Sequence, residues 1–517
     1  MSLLSERIPQ GMQGALQPEE NAPGRAAEAV LLVVALVLGL GGLAMVGYTI
    51  EGKLPDSFWM NTLVLTGLSL VAHIVLRIRA PYADQVILPA VVLLSVMSLA
   101  MITRLQLEGM RLTDAPRHLM WNVVGIVVMC VILVLLRDHR LLRKFTYTAM
   151  LAALVLVILP LIPGLGKELN GARIWISVAG FSLQPAEFAK LLFAVFFAGY
   201  LVANRDTLAL AGKKVLGLQL PRMRDLGPIL VVWAVSLTVL VGQKDLGTSL
   251  LFFGLFVGML YLATERGGWV AIGLSMFVIG AFVAWTIFGH VQARVDIWLN
   301  PLDQELYERD PGGSFQIVQG MFGMAYGGLF GAGWGEGFST RIPFAFSDMI
   351  YATFGEELGL TGLLGILLVY LVIVQRGMRT AVGVRDGFGK LLAGGLAFVM
   401  ALQVFVVVGG ITQVIPLTGL TLPFMAQGGS SMVANWVVVA LLLRISDAAR
   451  RPSALPTRGQ VADVPASTQH PGVEGAIPVG PGASPANREA ARQNMPAPSD
   501  EKTQMHAPIR DQGGDQA

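Results

Sequence analysis

A single cysteine, Cys130, stands in a chain of 517 residues, which excludes a disulfide framework and any cysteine-based metal site. Charge is scarce too. Only 14% of residues are Asp, Glu, Lys or Arg, against roughly 25% in an ordinary soluble domain. With 54% hydrophobic residues and a mean hydropathy of +0.64, most of the chain is written for a bilayer. The net charge of +3 is too small to argue for nucleic acid, and none is expected as a partner. There is no Walker loop, no histidine pair at metal-ligand spacing, no Gly-x-Ser-x-Gly elbow and no cysteine nucleophile. Energy from ATP, a zinc site and acyl-enzyme chemistry are thereby set aside.

What the chain does have is long apolar runs. Its ends, 1–26 and 448–517, are rich in Pro, Ala, Gly and Gln without apolar periodicity, and read as disordered arms. Between them lie twelve runs near the roughly 20 residues needed to cross the hydrocarbon core. They cover 27–49, 57–76, 85–103, 119–136, 145–162, 184–203, 225–242, 247–263, 268–288, 350–375, 391–410 and 430–445. The first follows a polar arm and lacks a cleavage-like end, so a removed signal peptide is not expected. If the N-terminus is inside, the inner loops 77–84, 137–144, 204–224, 264–267 and 376–390 hold 16 Lys/Arg in 56 residues, and the outer loops 10 in 126. That bias places both termini in the cytoplasm and the large loop 289–348 outside. The inner loops hold what topology requires; the outer loops carry Trp, Arg, Glu, Asp and Gly that topology does not explain. Chemistry is expected to face outward, from an all-α polytopic membrane protein with a large extracellular loop.

Several polar residues break the apolar pattern. In 163–183, Trp175 beside Arg173 is either an interface anchor or part of an amphipathic flap, with Arg173 or Lys167 gripping a lipid phosphate. Glu187 and Lys190 open the next span three residues apart, hence on one helix face, and such charges inside a span must pair or face a wet cavity. Lys244 and Asp245 occupy a tight turn, and are either simply exposed or part of a polar pocket. The stretch 314–337 is apolar and rich in glycine, which suits a re-entrant or interfacial hairpin buried against protein. Arg294 precedes it. Asp348 closes it, as a helix N-cap or as a carboxylate whose partial burial makes it a better base. Glu356 and Glu357 follow just inside the next span, either functional or bonded to the neighbouring loop. The last outer loop, 415–431, is broken by two prolines and a Gly pair before Ser430 and Ser431. Irregular backbone at that depth survives only when buried in protein or lining a cavity.

Taken in order, six segments resemble one family, the SEDS proteins of shape, elongation, division and sporulation. They are Gly166 to Ile176, Gln184-Pro185-Ala186-Glu187-Phe188-Ala189-Lys190, Gln243-Lys244-Asp245-Leu246-Gly247, Arg294-Val295 with Asn300-Pro301, Gly355-Glu356-Glu357-Leu358-Gly359, and Pro416 to Pro423 through Gly428-Gly429-Ser430-Ser431. The likeness runs from about residue 85 to 447. It leaves 27–84 as two additional N-terminal spans, either a lateral docking surface or decoration. Lys244 stands where the family usually has Pro, Ala426-Gln427 where it has Ser-Tyr, and Phe315 where it has Tyr.

The resemblance implies a peptidoglycan glycosyltransferase of the bacterial cytoplasmic membrane. Its substrate would be lipid II, the undecaprenyl-pyrophosphate-linked disaccharide pentapeptide, polymerised on the outer face. It assigns the essential carboxylate to Asp348, within Phe346-Ser347-Asp348-Met349-Ile350-Tyr351, as base for a sugar 4-hydroxyl. Charge on the departing pyrophosphate would be met by Arg173, Arg294, Lys244 or a divalent cation such as Mg or Mn. Trp175 would pack on the flap or a prenyl chain. Glu187, Lys190, Asp245, Glu356, Glu357, Ser430 and Ser431 would shape the cavity. The resemblance also implies a class B penicillin-binding protein, a single-span transpeptidase, as partner, and the ending Ala426 to Ser431 with Asn435-Trp436 is closer to the elongation branch. Two rivals stand beside this reading: a carrier that flips lipid-linked precursors, and a non-catalytic scaffold that recruits the transpeptidase. Carriers commonly show two related halves, and the first half of this chain has no counterpart of the motif-bearing loops.

Overall fold

The computed structural model describes residues 24–169, 172–178, 180–209, 214–215, 218–219, 234, 242–309 and 312–452. Eleven helices among the described residues are long and apolar enough to cross a membrane, and they coincide with eleven of the twelve runs. The chain is a multi-pass membrane protein. The run at 225–242 lies outside the described residues apart from Ala234 and Gly242, as do the tails except for their inner edges. At those edges Arg25 is buried, and the last helix continues to Arg450, so ordered structure extends slightly past the boundaries at 26 and 448.

The spanning helices are α1 (Ala26–Glu51), α2 (Phe58–Arg79), α3 (Ile87–Leu107), α4 (Ala115–Leu135), α5 (Thr146–Ile158, extended by 3-10 turns at both ends) and α6 (Pro185–Ala209). Then come α7 (Leu246–Thr264) and α8 (Gly267–Ile287). Three shorter helices follow, α9 (Gly289–Leu299), α10 (Gln304–Glu308) and α11 (Phe315–Gly327), before the spans α12 (Ile350–Gly383), α13 (Gly387–Ile411) and α14 (Gly429–Arg450). Aspartates start several of them. Asp114, Asp245 and Asp386 each accept the backbone N–H three residues on, satisfying a donor that the first turn leaves orphaned.

Helix α8 contains no ionisable residue and is 17% buried along its apolar window; α3 and α14, with Arg104, Arg444 and Asp447, are 83% buried. A charged side chain facing hydrocarbon costs about 3 kcal/mol, and these three are each buried within the bundle. The fold is helical except for two small sheets. One pairs β4 (Lys214–Val215) with β5 (Leu218–Gln219); the other joins β1 (Gly166–Leu169), β2 (Ala172–Val178) and β3 (Phe181–Leu183) in an antiparallel order. This second sheet, which an all-α reading does not contain, centres on the strand-favouring Ile174, Trp175 and Ile176 of β2, with a left-handed Gly180 in the turn to β3.

Helix α12 is broken at Gly359, which has φ 64° and ψ −171°. A Cβ there would stand 2.3 Å from the backbone nitrogen of Gly331, so only glycine permits the approach. The segment after α11 uses the gap. Leu360 N–H donates to Gly328 O and Thr361 N–H to Leu329 O, while Ala332 and Gly333 donate to the carbonyls of Glu356 and Glu357. Glycine-rich backbone is thus satisfied by backbone, the condition for irregular chain beside a spanning helix.

Candidate active site

The outer-loop residues singled out by sequence fall into three groups. The first surrounds Asp348. It sits in the turn before α12, half-buried, and accepts a hydrogen bond from Gln316 Nε2 at 3.0 Å. It is not the cap of α12, whose N-cap residue is Met349, without a side-chain hydrogen bond. Burial pushes the Asp348 carboxyl up from its ordinary value, against the opposing pull of Gln316 and of the Arg294 charge. Arg294, on α9, donates through Nη1 to Leu417 O and interacts with both Asp348 and Asp245. Burial also raises Asp245, which donates nothing and accepts from Thr248 N and Oγ1 as the cap of α7.

Arg294 stands at one side of an apolar cavity of about 350 Å³ between α7, α8 and the 415–418 segment, lined by Leu250, Phe253, Phe277, Trp285, Val291 and Ile415 among others. An aliphatic chain fits that lining, with a guanidinium beside it for an anionic head. The last outer loop closes over the Asp348 turn. Gln427 N–H donates to Phe346 O at 2.8 Å, and Trp298 Nε1 of α9 donates to Gln413 O.

The second group is cationic and more exposed. Arg173 Nε pairs with Glu168 at 2.9 Å across β1 and β2, and together with Gly242 and Lys244 they line a polar cavity of about 290 Å³. The Glu168 carboxyl is held down by the hydrogen bond and charge of Arg173, and more weakly by Lys244. Trp175 is half-buried on β2, in register with Lys167. Lys244 also faces His290, at the head of α9, whose pKa is lowered by burial and by the charges of Lys244 and Arg294. The two groups therefore meet across the Lys244 to Arg294 interval. Lys244 holds φ 56°, and Phe344, Gln413 and Phe424 are likewise left-handed, all in these loops. Such backbone costs of order 1–3 kcal/mol per residue and persists where the surroundings demand it.

The third group is buried and structural in its contacts. Lys190 Nζ reaches Glu187 at 2.5 Å, Gln403 Oε1 at 2.8 Å and Asn435 Oδ1 at 3.3 Å, joining α6 to α13 and α14. Ser430 Oγ accepts from Gln184 N, and Ser431 Oγ from Thr421 Oγ1. Glu356 accepts from Phe338 N at 2.7 Å and Ser339 Oγ at 2.8 Å; Glu357 accepts from Gly335 N at 3.2 Å and is ion-paired with Arg104. These two glutamates face the glycine-rich loop rather than Asp348. Sequence reading passed over Gln316, Gln403 and Arg104. Gln403, a lone amide in an otherwise apolar span, was the one with a visible signal. No group of three or more His, Cys, Asp or Glu among the described residues converges as a metal cage. An all-protein cage for a cation is thus not present among the described residues, and a cation that arrives with substrate phosphates needs only one or two carboxylates.

A family model described as cell cycle protein, covering FtsW, RodA and SpoVE, matches residues 81–451. The chain is similar to the peptidoglycan glycosyltransferase RodA of Mycobacterium tuberculosis, with 46% identity over 438 residues, 83% of this chain and 92% of the relative. It is also similar to the stage V sporulation protein E of Bacillus subtilis, 33% identical over 336 residues, 64% of this chain and 86% of that one. A solved structure of a peptidoglycan synthase complex contains a chain with the same fold, at a TM-score of 0.51 and 23% identity, covering 76% of this chain and 98% of that one. With the family model matching residues 81–451 and a relative 46% identical over 92% of its own length, the chain belongs to the FtsW, RodA and SpoVE family.

Proposed function

We propose that the chain is a peptidoglycan glycosyltransferase of the elongation branch, polymerising lipid II at the outer face of the bacterial cytoplasmic membrane. The observation that carries the reading is one carboxylate, Asp348, lifted by burial and placed with Arg294 near an apolar cavity suited to a prenyl chain. Asp348 accepts the proton of the acceptor sugar's 4-hydroxyl as its oxygen bonds to the donor's anomeric carbon. The bond from that carbon to pyrophosphate breaks, and pyrophosphate leaves with the electron pair. A base of raised pKa holds the proton better during this step. Gln316 fixes the carboxylate's rotamer and Arg294 opposes the charge developing on the leaving group. Arg173 and Lys244 form a second cationic stop on the same side, suited to the pyrophosphate of the other lipid.

A flippase needs no proton acceptor at this position, and a scaffold needs no carboxylate within electrostatic reach of a guanidinium. The partner in this reading is a single-span class B penicillin-binding protein, and Mg or Mn would be supplied with the pyrophosphate substrate. The test is to incubate purified chain with lipid II and a divalent cation and look for glycan polymer. Asp348→Ala is expected to abolish polymer while leaving the protein folded. Polymer formed at the parent rate by that variant would remove Asp348 from the mechanism.

A further inference from the structure

The family match begins at residue 81, so α1 and α2 lie before it, yet α1 reaches the loop that precedes the catalytic turn. A Cβ added at Gly42 would stand 2.9 Å from Cζ2 of Trp334, which puts the indole against the helix backbone. One residue on, a Cβ at Gly335 would meet Thr49 Cβ at 3.1 Å and Ile50 Cγ1 at 3.3 Å. The loop carrying Trp334 is fastened on its other side to the first turns of α12. Trp334 packs edge-on against Phe354, with ring centroids 6.0 Å apart, and Gly335 and Phe338 donate to Glu357 and Glu356. Arg104 of α3 clamps the same loop through Gly337 O at 2.6 Å while pairing with Glu357. Asp348 lies in the turn that leads into this helix end, six residues before Phe354.

We infer that α1 is a positioning element for the reaction: Gly42 and Thr49 seat Trp334 and Gly335, and that seat sets where the start of α12, and with it Asp348, stands. Gly42 is a positioning residue rather than a catalytic one, since it touches the loop and no reacting group. The inference rests on Asp348 being the base. Its chemistry is steric. A side chain at Gly42 forces the indole outward, the loop follows through its hydrogen bonds to Glu356 and Glu357, and the carboxylate loses its alignment. A displacement near 1 Å at a reacting group can cost about a hundredfold in rate, and a loop shift passed through several contacts a fraction of that.

The full-length chain carries the test. Gly42→Leu is expected to lower kcat for lipid II polymerisation about tenfold with KM unchanged, and to speed amide hydrogen exchange in 331–339. Gly41→Leu, at a position where an added Cβ meets nothing within 4 Å, is expected to match the parent in both measurements. Gly42→Leu combined with Trp334→Ala, which opens room for the leucine, is expected to recover rate relative to Gly42→Leu alone. Parent-like kcat in Gly42→Leu would overturn the inference, as would a rate loss with unchanged exchange in 331–339 or an equal loss in Gly41→Leu. The catalytic reading fails separately: Asp348→Ala would then polymerise normally, whatever the Gly42 variants do.

Discussion

Asp348 accepts a side-chain hydrogen bond from Gln316, while its burial favours the protonated form. The folded protein therefore holds the proton more tightly than the unfolded chain, whose aspartate titrates near 3.9. For a group raised in this way the favourable contribution is complete below the unfolded pKa and is lost as pH rises through the folded one. At neutral pH the ionised carboxylate is a burden on stability that function requires. Asp348→Asn is therefore expected to melt higher than the parent at pH 7, with the difference shrinking as the pH is lowered toward the ordinary carboxylate range. Polymerisation by the parent should fall on the acid side at a pH above that range. A melting temperature for Asp348→Asn equal to or below the parent's at pH 7 would show the site to be less desolvated than its surroundings imply. The chain alone left Asp348 either a helix cap or a partly buried base, and only the packing of α11 and α12 brings Gln316 to it.

Among elements, the pin formed by Glu187 and Lys190 shows what pattern reading can and cannot resolve. Their spacing places both on one face of α6, and the cost of lone charges in a span demands partners. Which partners was hidden, since Gln403 and Asn435 come from α13 and α14, more than 200 residues away in the chain. Removing one member leaves a buried charge without its counter-ion. Glu187→Ala is expected to cost about 3–5 kcal/mol, and replacing both by Leu and Met together much less. Thermal melting of the detergent-purified variants decides it; a double variant as unstable as the single would mean the pair adds net attraction. The three-stranded sheet is the opposite case. Strands of three to seven residues carry too short an alternation to stand out from a loop, and the pairing of Lys167 with Trp175 is a matter of register alone. The cavity between Arg173 and Lys244 exists because that sheet folds toward the start of α7.

At the scale of the whole molecule the governing quantity is charge asymmetry. Sixteen Lys/Arg in 56 residues of one set of loops against 10 in 126 of the other lead to the expectation that Asp348, Arg173 and Arg294 face outside. In intact cells, an impermeant maleimide is therefore expected to label a cysteine placed at Phe338, which is exposed, in a Cys130→Ser background, and to spare one placed at the exposed inner-loop Arg140. Labelling in the reverse pattern would turn the protein over and remove the site from its substrate. The positions of the eleven described membrane helices needed no tertiary information, because solvent in the form of hydrocarbon acts on each twenty-residue stretch independently. The carboxylate's environment, the amides that hold Lys190, the break at Gly359 and the seat of Trp334 on α1 did need it. Each is a meeting of segments far apart in the chain, and what brings such segments together is the shape of side chains packed across helices, which no local pattern records.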